Sequence, residues 1–220
     1  HRLLATLESE GFIRQTSDGR YTLSLLLLEL SAGVIAWEGA RETVLSSLQQ
    51  LSERTGETAH LAVMDAGEVL YIEKVEGTWS LRMPSSVGKR LPLNCTALGK
   101  VFLAGMDRAE SHRIIHGHQW EARTPKTFTQ PDELEAEVNA VRDQGFAVDR
   151  EEIEEGLVCV AAPIVDDRGR TSAAVSISAP SSRMLAHLEE RIEVVQETFR
   201  ALSLGLGPNA RRLREATRSV

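Results

Sequence analysis

Apolar positions along the chain fall into short runs of two kinds, helical spacing and strand alternation. His1–Glu10 carries Leu3, Leu4 and Leu7 at helical spacing, and Gly11 suits its stop. Phe12–Arg14 and Arg20–Leu23 flank Thr16-Ser17-Asp18-Gly19, whose Asp-Gly pair predicts a hairpin. Leu23–Trp37 is Leu-rich over more than one face. A helix of that kind must be buried, against a partner subunit or inside its own core. Arg41–Thr55 predicts an amphipathic helix with Ala40, Val44, Leu48 and Leu51 on one stripe and Gly56 at its end. Thr58–Met64 and Val69–Val75 alternate around Asp65-Ala66-Gly67-Glu68, a second hairpin, and Trp79–Pro84 is a further extended piece.

Ser85–Pro92 reads as a loop leading to Asn94, the expected cap of a helix that runs through Ala104 to Gly105. The free N–H groups of its first turn would be those of Cys95, Thr96, Ala97 and Leu98, a setting that attracts a carboxylate or phosphate. Asp107–His116 predicts a short helix and Trp120–Phe128 a polar loop. Pro131 opens another helix, with Leu134, Val138 and Val141 inward and Gly145 at its end. Two apolar strands follow, Leu157–Val165 and Thr171–Ala179, joined by a turn at Asp166–Arg170. Alternation places Leu157, Cys159 and Ala161 on one face of the first; in the second it sets Ala174, Ser176 and Ser178 against Ala173, Val175 and Ile177. A Ser/Cys/Ala face is either solvated or the floor of a small-molecule pocket. If it is a floor, Cys159 is expected beside Ser176, with Ser178 one step further. Asp149 and the run Glu151, Glu152, Glu154 and Glu155 precede this hairpin. Ser181 or Ser182 would cap one long last helix, striped by Leu185, Leu188, Ile192, Val195, Phe199 and Leu202 and broken from Gly205 to Pro208. Asn209–Val220, with four arginines, reads as a tail.

Charge and cysteine content narrow the classes. A net charge of −7 argues against nucleic acid binding over the whole surface, but is compatible with a small basic part attached to an acidic sensor. The two cysteines form no CxxC motif and imply no disulfide framework, which fits a reduced cytoplasm. No apolar run is long enough to span a membrane, so no membrane partner is expected. His116-Gly117-His118 has no matching His/Cys pair at ligand spacing, so no metal or other cofactor is expected there. GxGxxG and P-loop motifs are missing, and at least two antiparallel hairpins interleaved with helices favour an α+β class. The chain opens on His1 inside a helix-like segment, as a fragment would.

Three segments in order resemble the IclR family of bacterial transcription regulators. They are His1–Glu8 with Gly11-Phe12-Ile13; Gly88–Leu93 with Thr96–Ala104; and Asp149…Gly156-x-x-Cys159-x-Ala161-Ala162-Pro163…Gly169…Ser176–Pro180. The resemblance covers His1 to about Leu206. It implies the C-terminal part of a winged helix-turn-helix (residues 1–23), a linker helix (24–38), a GAF-like effector domain with a curved antiparallel sheet (39–207), and a mobile tail (208–220). It implies a regulator, repressor or activator, that binds palindromic double-stranded promoter DNA as a homodimer or tetramer and senses a small organic acid. Carried over by motif, His1, Arg2 and Thr6 would lie on the recognition helix, and Arg14 and Arg20 on the wing near phosphates. Ala97 and Leu98 would offer backbone N–H groups to an effector carboxylate; Asp149, Cys159, Ser176 and Ser178 would hold its other oxygens, and Leu157 would form apolar wall. Leu98 stands where many relatives carry an additional small residue just before the Gly-Lys pair, a difference that would either narrow the pocket or reshape its rim.

Two alternatives belong to other classes. Cys159 with His60 or His112 would make a thiol-dependent enzyme, although no nucleophile motif surrounds it. The Leu-rich segment and the last helix would also suit a ligand-free oligomerisation module.

Overall fold

A computed structural model describes residues 1–27, 29–30, 38–80, 85–166 and 169–206. The chain divides into two compact units, His1–Glu38 and Gly39–Val220.

In the first unit, helix α1 (Arg2–Ser9) leads into a two-stranded antiparallel hairpin, β1 (Ile13–Gln15) and β2 (Tyr21–Leu23). Gly11, at φ 79°, takes the left-handed turn between helix and hairpin that a side chain would resist. Thr16 and Asp18 tie the hairpin loop, and Arg20 Nε donates to Asp18 Oδ2 at 2.7 Å. Leu23, read as the start of the Leu-rich helix, instead ends β2, opposite Ile13. Residues 26–27 and 29–30 are helical; the rest of the expected linker helix, residues 28 and 31–37, lies outside the described residues.

The second unit is built on a six-stranded antiparallel sheet with β3 (Thr58–Asp65), β4 (Glu68–Val75), β5 (Arg90–Leu91), β6 (Ala147–Arg150), β7 (Leu157–Val165) and β8 (Thr171–Pro180), in spatial order β5-β4-β3-β8-β7-β6. The expected hairpins are β3/β4 and β7/β8. Two strands escaped the sequence reading because they are so short. β5, a two-residue strand inside the expected Ser85–Pro92 loop, pairs with β4, and β6 places Asp149 within the sheet rather than ahead of it.

Alternation gives the sheet two buried faces. On one, Ala62, Tyr71, Ala147, Ala161 and Ala174 pack beneath α3 (Ala97–Gly105), itself covered by α4 (Arg108–Gly117) and α5 (Pro131–Gln144). Small side chains there let α3 lie close to the strands. On the other face, larger groups such as Val160, Ile164, Val175 and Ile177 are buried on the side of α7 (Leu188–Leu206), which packs on β7 and β8. Helix α2 (Glu38–Thr55) buries Val44, Leu48 and Leu51 as its stripe predicts, and its Arg54 pairs with Glu197 of α7 at 2.8 Å.

Several expected boundaries move. The cap of α3 is Thr96, whose Oγ1 accepts from the Gly99 N–H at 3.0 Å; Asn94 instead donates from Nδ2 to the Phe128 carbonyl at 2.8 Å. The long last helix is two helices. A short α6 (Ser181–Ala186) begins after Pro180, with no serine cap bond, and the chain bends at His187 before α7. Leu185 is therefore exposed rather than on the buried stripe, which runs through Met184, Val195, Leu202 and Leu206. α7 continues through Gly205 to Leu206, past the expected break. Residues 81–84 of the expected Trp79–Pro84 strand, the turn residues Asp167 and Arg168, and the expected tail at 208–220 lie outside the described residues.

Candidate functional site

A cavity opens between the α3 side of the sheet and the N-terminal turn of that helix. Its free space is about 60 Å³, enough for a few waters or a small organic molecule to begin to enter. Ala97, Leu98, Asp149, Leu157, Cys159, Ser176 and Ser178 all line it, so the residues singled out on the sequence come together. The expected neighbour pairing is off by one step. Cys159 stands opposite Ser178 and Ser176 opposite Ala161, and Cys159 Sγ lies 3.2 Å from Ser178 Oγ. The hairpin also carries a one-residue register shift at Ile164/Val165, with Ser172 the extra residue on β8.

The α3 rim follows from its cap. An α-helix leaves its first N–H groups without intrahelical acceptors. Thr96 Oγ1 takes that of Gly99, leaving those of Ala97 and Leu98 at the cavity edge. Cys95 and Thr96, expected to share this role, precede the helix instead.

Further residues of the lining include Tyr71, Ser85 and Lys89, to which the sequence assigns no role, and His60, expected only as a base for Cys159. His60, on β3 opposite Ser176, stacks on Tyr71 with ring centroids 4.4 Å apart, and its Nε2 is 2.8 Å from Ser85 Oγ. Burial, reinforced by Lys74, lowers its pKa to about 3, so the ring is neutral. The β3 alternation could have found it, since position 60 faces the same side as Ser176 across the strand pair.

Three polar atoms of the lining are buried with no hydrogen-bond partner among the described residues: His60 Nδ1, Asp149 Oδ2 and Ser176 Oγ. Such atoms are costly unless water or a ligand meets them. Asp149 Oδ1 is already used, accepting the Glu152 N–H at 2.7 Å. Burial, and secondly the Glu152 carboxylate, raise the Asp149 pKa to about 7. Its contribution to stability is thus full below the ordinary carboxylate range and lost as pH rises through about 7.

Behind Asp149 lies a buried ion cluster. Lys100 of α3 is fully buried, and its Nζ donates to Glu152 Oε1 at 2.6 Å, to the Val148 carbonyl at 2.7 Å and to Glu137 Oε1 of α5 at 2.9 Å. Glu152 belongs to the acidic run ahead of β7, and it neutralises the buried lysine.

Cys159 is a poor nucleophile. Burial, and then the Asp149 carboxylate, push its thiol well above the ordinary value, which keeps it protonated. Of its candidate bases, His60 pairs with Ser85, and His112 lies on α4 with Glu135. In the first unit, His1, Arg2, Thr6, Arg14 and Arg20 are all exposed, and Thr6 Oγ1 donates back to the Arg2 carbonyl.

Comparison with known proteins agrees with this architecture. Residues 37–204 match the family described as the bacterial transcriptional regulator IclR C-terminal domain. The HTH-type transcriptional regulator XynR of Escherichia coli is 38% identical over 209 residues, which span 94% of this chain and 83% of XynR. The crystal structure of IclR from Thermotoga maritima superposes with a TM-score of 0.81 at 35% identity, covering 93% of this chain and 83% of that one. The inducer-binding domain of the transcription factor PobR from Acinetobacter, a double mutant in complex with 3-hydroxybenzoic acid, superposes with a TM-score of 0.67 at 25% identity, covering 74% of this chain and 96% of that one. These relatives are transcriptional regulators, which favours the regulator reading over the thiol enzyme. The curved antiparallel sheet, the cavity beneath α3 and the matched family together establish that the chain belongs to the IclR family of bacterial transcriptional regulators.

Proposed function

We propose that residues 39–207 form a sensor whose cavity takes a small organic acid, and that occupancy changes how residues 1–23 engage promoter DNA. The observation that carries this reading is the set of three unpartnered polar atoms, His60 Nδ1, Asp149 Oδ2 and Ser176 Oγ, buried beside a helix N-terminus. In this arrangement the N–H groups of Ala97 and Leu98 take the effector carboxylate. Asp149, Cys159, Ser176 and Ser178 meet hydroxyl or keto oxygens further in, and Leu157 with Leu98 sets the apolar wall. A hydroxylated acid suits such a lining, in keeping with the 3-hydroxybenzoic acid held by the PobR domain. A thermal-shift screen of small hydroxy and keto acids tests the reading, with stabilisation by one chemical class expected and stabilisation by none counting against it.

The Asp149 titration sets a pH dependence. Below about 7 its carboxyl is neutral and offers a proton to an effector oxygen; above, a second buried anion opposes an incoming carboxylate. Affinity is expected to fall by about tenfold between about pH 6 and about pH 8, as the neutral fraction falls. Asp149→Asn should make it nearly flat across that range. Calorimetric titration at several pH values checks this, and an equal slope in both proteins would remove Asp149 from the effector contacts.

On the DNA side, α1 and the β1/β2 wing present His1, Arg2, Thr6, Arg14 and Arg20 to the duplex, with the wing arginines at phosphates. Arg14→Ala and Arg20→Ala should weaken binding at all sequences alike and each reduce the slope of log affinity against log salt by about one. Loss of discrimination at a single base pair would instead place that arginine in a groove. Pairing of chains through residues 24–38 into a dimer or tetramer would match the symmetry of a palindromic site.

A further inference from the structure

We propose that His112, His116 and Glu135 form a surface site for a divalent transition-metal ion of the zinc type, separate from the effector cavity. His112 and His116 lie four residues apart on α4 and so share one helix face. Their rings are 4.1 Å apart between centroids. Glu135 reaches them from α5: its Oε1 is 3.1 Å from His112 Nδ1, and its Oε2 is 2.9 Å from His116 Nε2. All three ligand atoms lie within 4.8 Å of one another.

A tetrahedral zinc with bonds of about 2.1 Å sets its ligand atoms about 3.4 Å apart. The two imidazole–carboxylate separations therefore need to open by only a few tenths of an ångström. Each ring now turns a nitrogen towards the carboxylate. A neutral imidazole shifts its proton to the opposite nitrogen and frees that atom as a ligand, with no net loss of a proton. Glu135 adds a carboxylate oxygen to the two imidazole nitrogens. Two imidazoles favour zinc, nickel or copper over calcium or magnesium, which prefer all-oxygen shells. The side chains are 55%, 30% and 33% exposed, which leaves room for water to complete the coordination. Nearby cations are drawn aside, since Arg108 and Arg142 both donate to Asn139 Oδ1.

The adjacent His118 is not part of this set. Its Nδ1 is 3.0 Å from the Ile114 carbonyl and its ring stacks on Trp120. The His-Gly-His motif thus pointed at the right helix with the wrong pair. The partner of His116 stands one turn earlier, and the carboxylate comes from another helix.

The test titrates zinc chloride into the chain by calorimetry, alongside His112→Ala, His116→Ala, Glu135→Gln and the control His118→Ala. One ion per chain is expected for the wild type and the control. Each of the three ligand variants should bind at least tenfold more weakly, the lower end of what even outer partners of a metal site contribute. Because the ion bridges α4 and α5, zinc should also raise the wild-type melting temperature and a chelator should reverse the rise. The variants are on the surface, and circular dichroism will confirm their fold. Wild-type affinity in any of the three, or an affinity that falls equally in His118→Ala, overturns the site.

Discussion

Lys100→Met is expected to destabilise the chain by about 3–5 kcal/mol, the cost of removing one partner from a buried ion cluster. The lysine is fully buried, and its ammonium is met by the carboxylates of Glu137 and Glu152 and the Val148 carbonyl. Methionine fills similar volume but leaves Glu152 with no cation, beside an Asp149 that burial already drives towards neutrality. The effect reaches past stability, because Glu152 also donates the N–H that orients Asp149 in the cavity. Adding Glu152→Gln should restore part of the loss, since the stranded charge is then gone. Urea unfolding of the two variants and the wild type checks both statements. A loss for Lys100→Met of under about 1 kcal/mol, the scale of an exposed pair, would mean that the cluster is solvated.

Gly99→Ala should destabilise by about 1–3 kcal/mol through overpacking, and should weaken effector binding further. In an unobstructed helix, alanine is favoured over glycine by up to about 1 kcal/mol, so the sign of the change is diagnostic. At position 99 a Cβ would collide with the backbone of Leu93, which passes directly against the first turn of α3. That contact is backbone and cannot rotate away. The helix must lift, carrying with it the N–H groups of Ala97 and Leu98 that form the cavity rim. A stabilised Gly99→Ala variant, read by thermal unfolding, would show that α3 starts with space around it and that its N-terminus is not fixed by this packing.

Much of the fold was legible in local pattern. The β3/β4 hairpin is marked by alternation around Asp65–Glu68, α5 by Pro131 and Gly145, and the small-residue face of β7/β8 by its Ser, Cys and Ala positions. What local pattern could not carry was anything decided across the sheet. β6 is four residues long and pairs only because β7 is there to receive it, so Asp149 looked like a residue before the sheet. The cap of α3 fell to Thr96 because Asn94 finds a better partner in Phe128, 34 residues away. Lys100 was legible as part of a motif, yet its burial depends on Glu137 and Glu152 from two separate segments. The alternation of β3 marks the face of His60, but that β3 lies beside β8, and β4 with Tyr71 beside β3, is decided by pairing across the sheet.

The hydroxyl of Ser176 is the group on which the effector site most depends. It is buried on β8 with no partner among the described residues, so its removal strands nothing in the free protein. Calorimetric titration of wild type and Ser176→Ala with a hydroxy or keto acid selected by the screen measures that dependence. The variant is expected to have nearly equal unfolding stability but an affinity about five- to twelvefold lower, equivalent to about 1–1.5 kcal/mol for one neutral hydrogen bond. Equal affinities in the two proteins would remove Ser176 from the site.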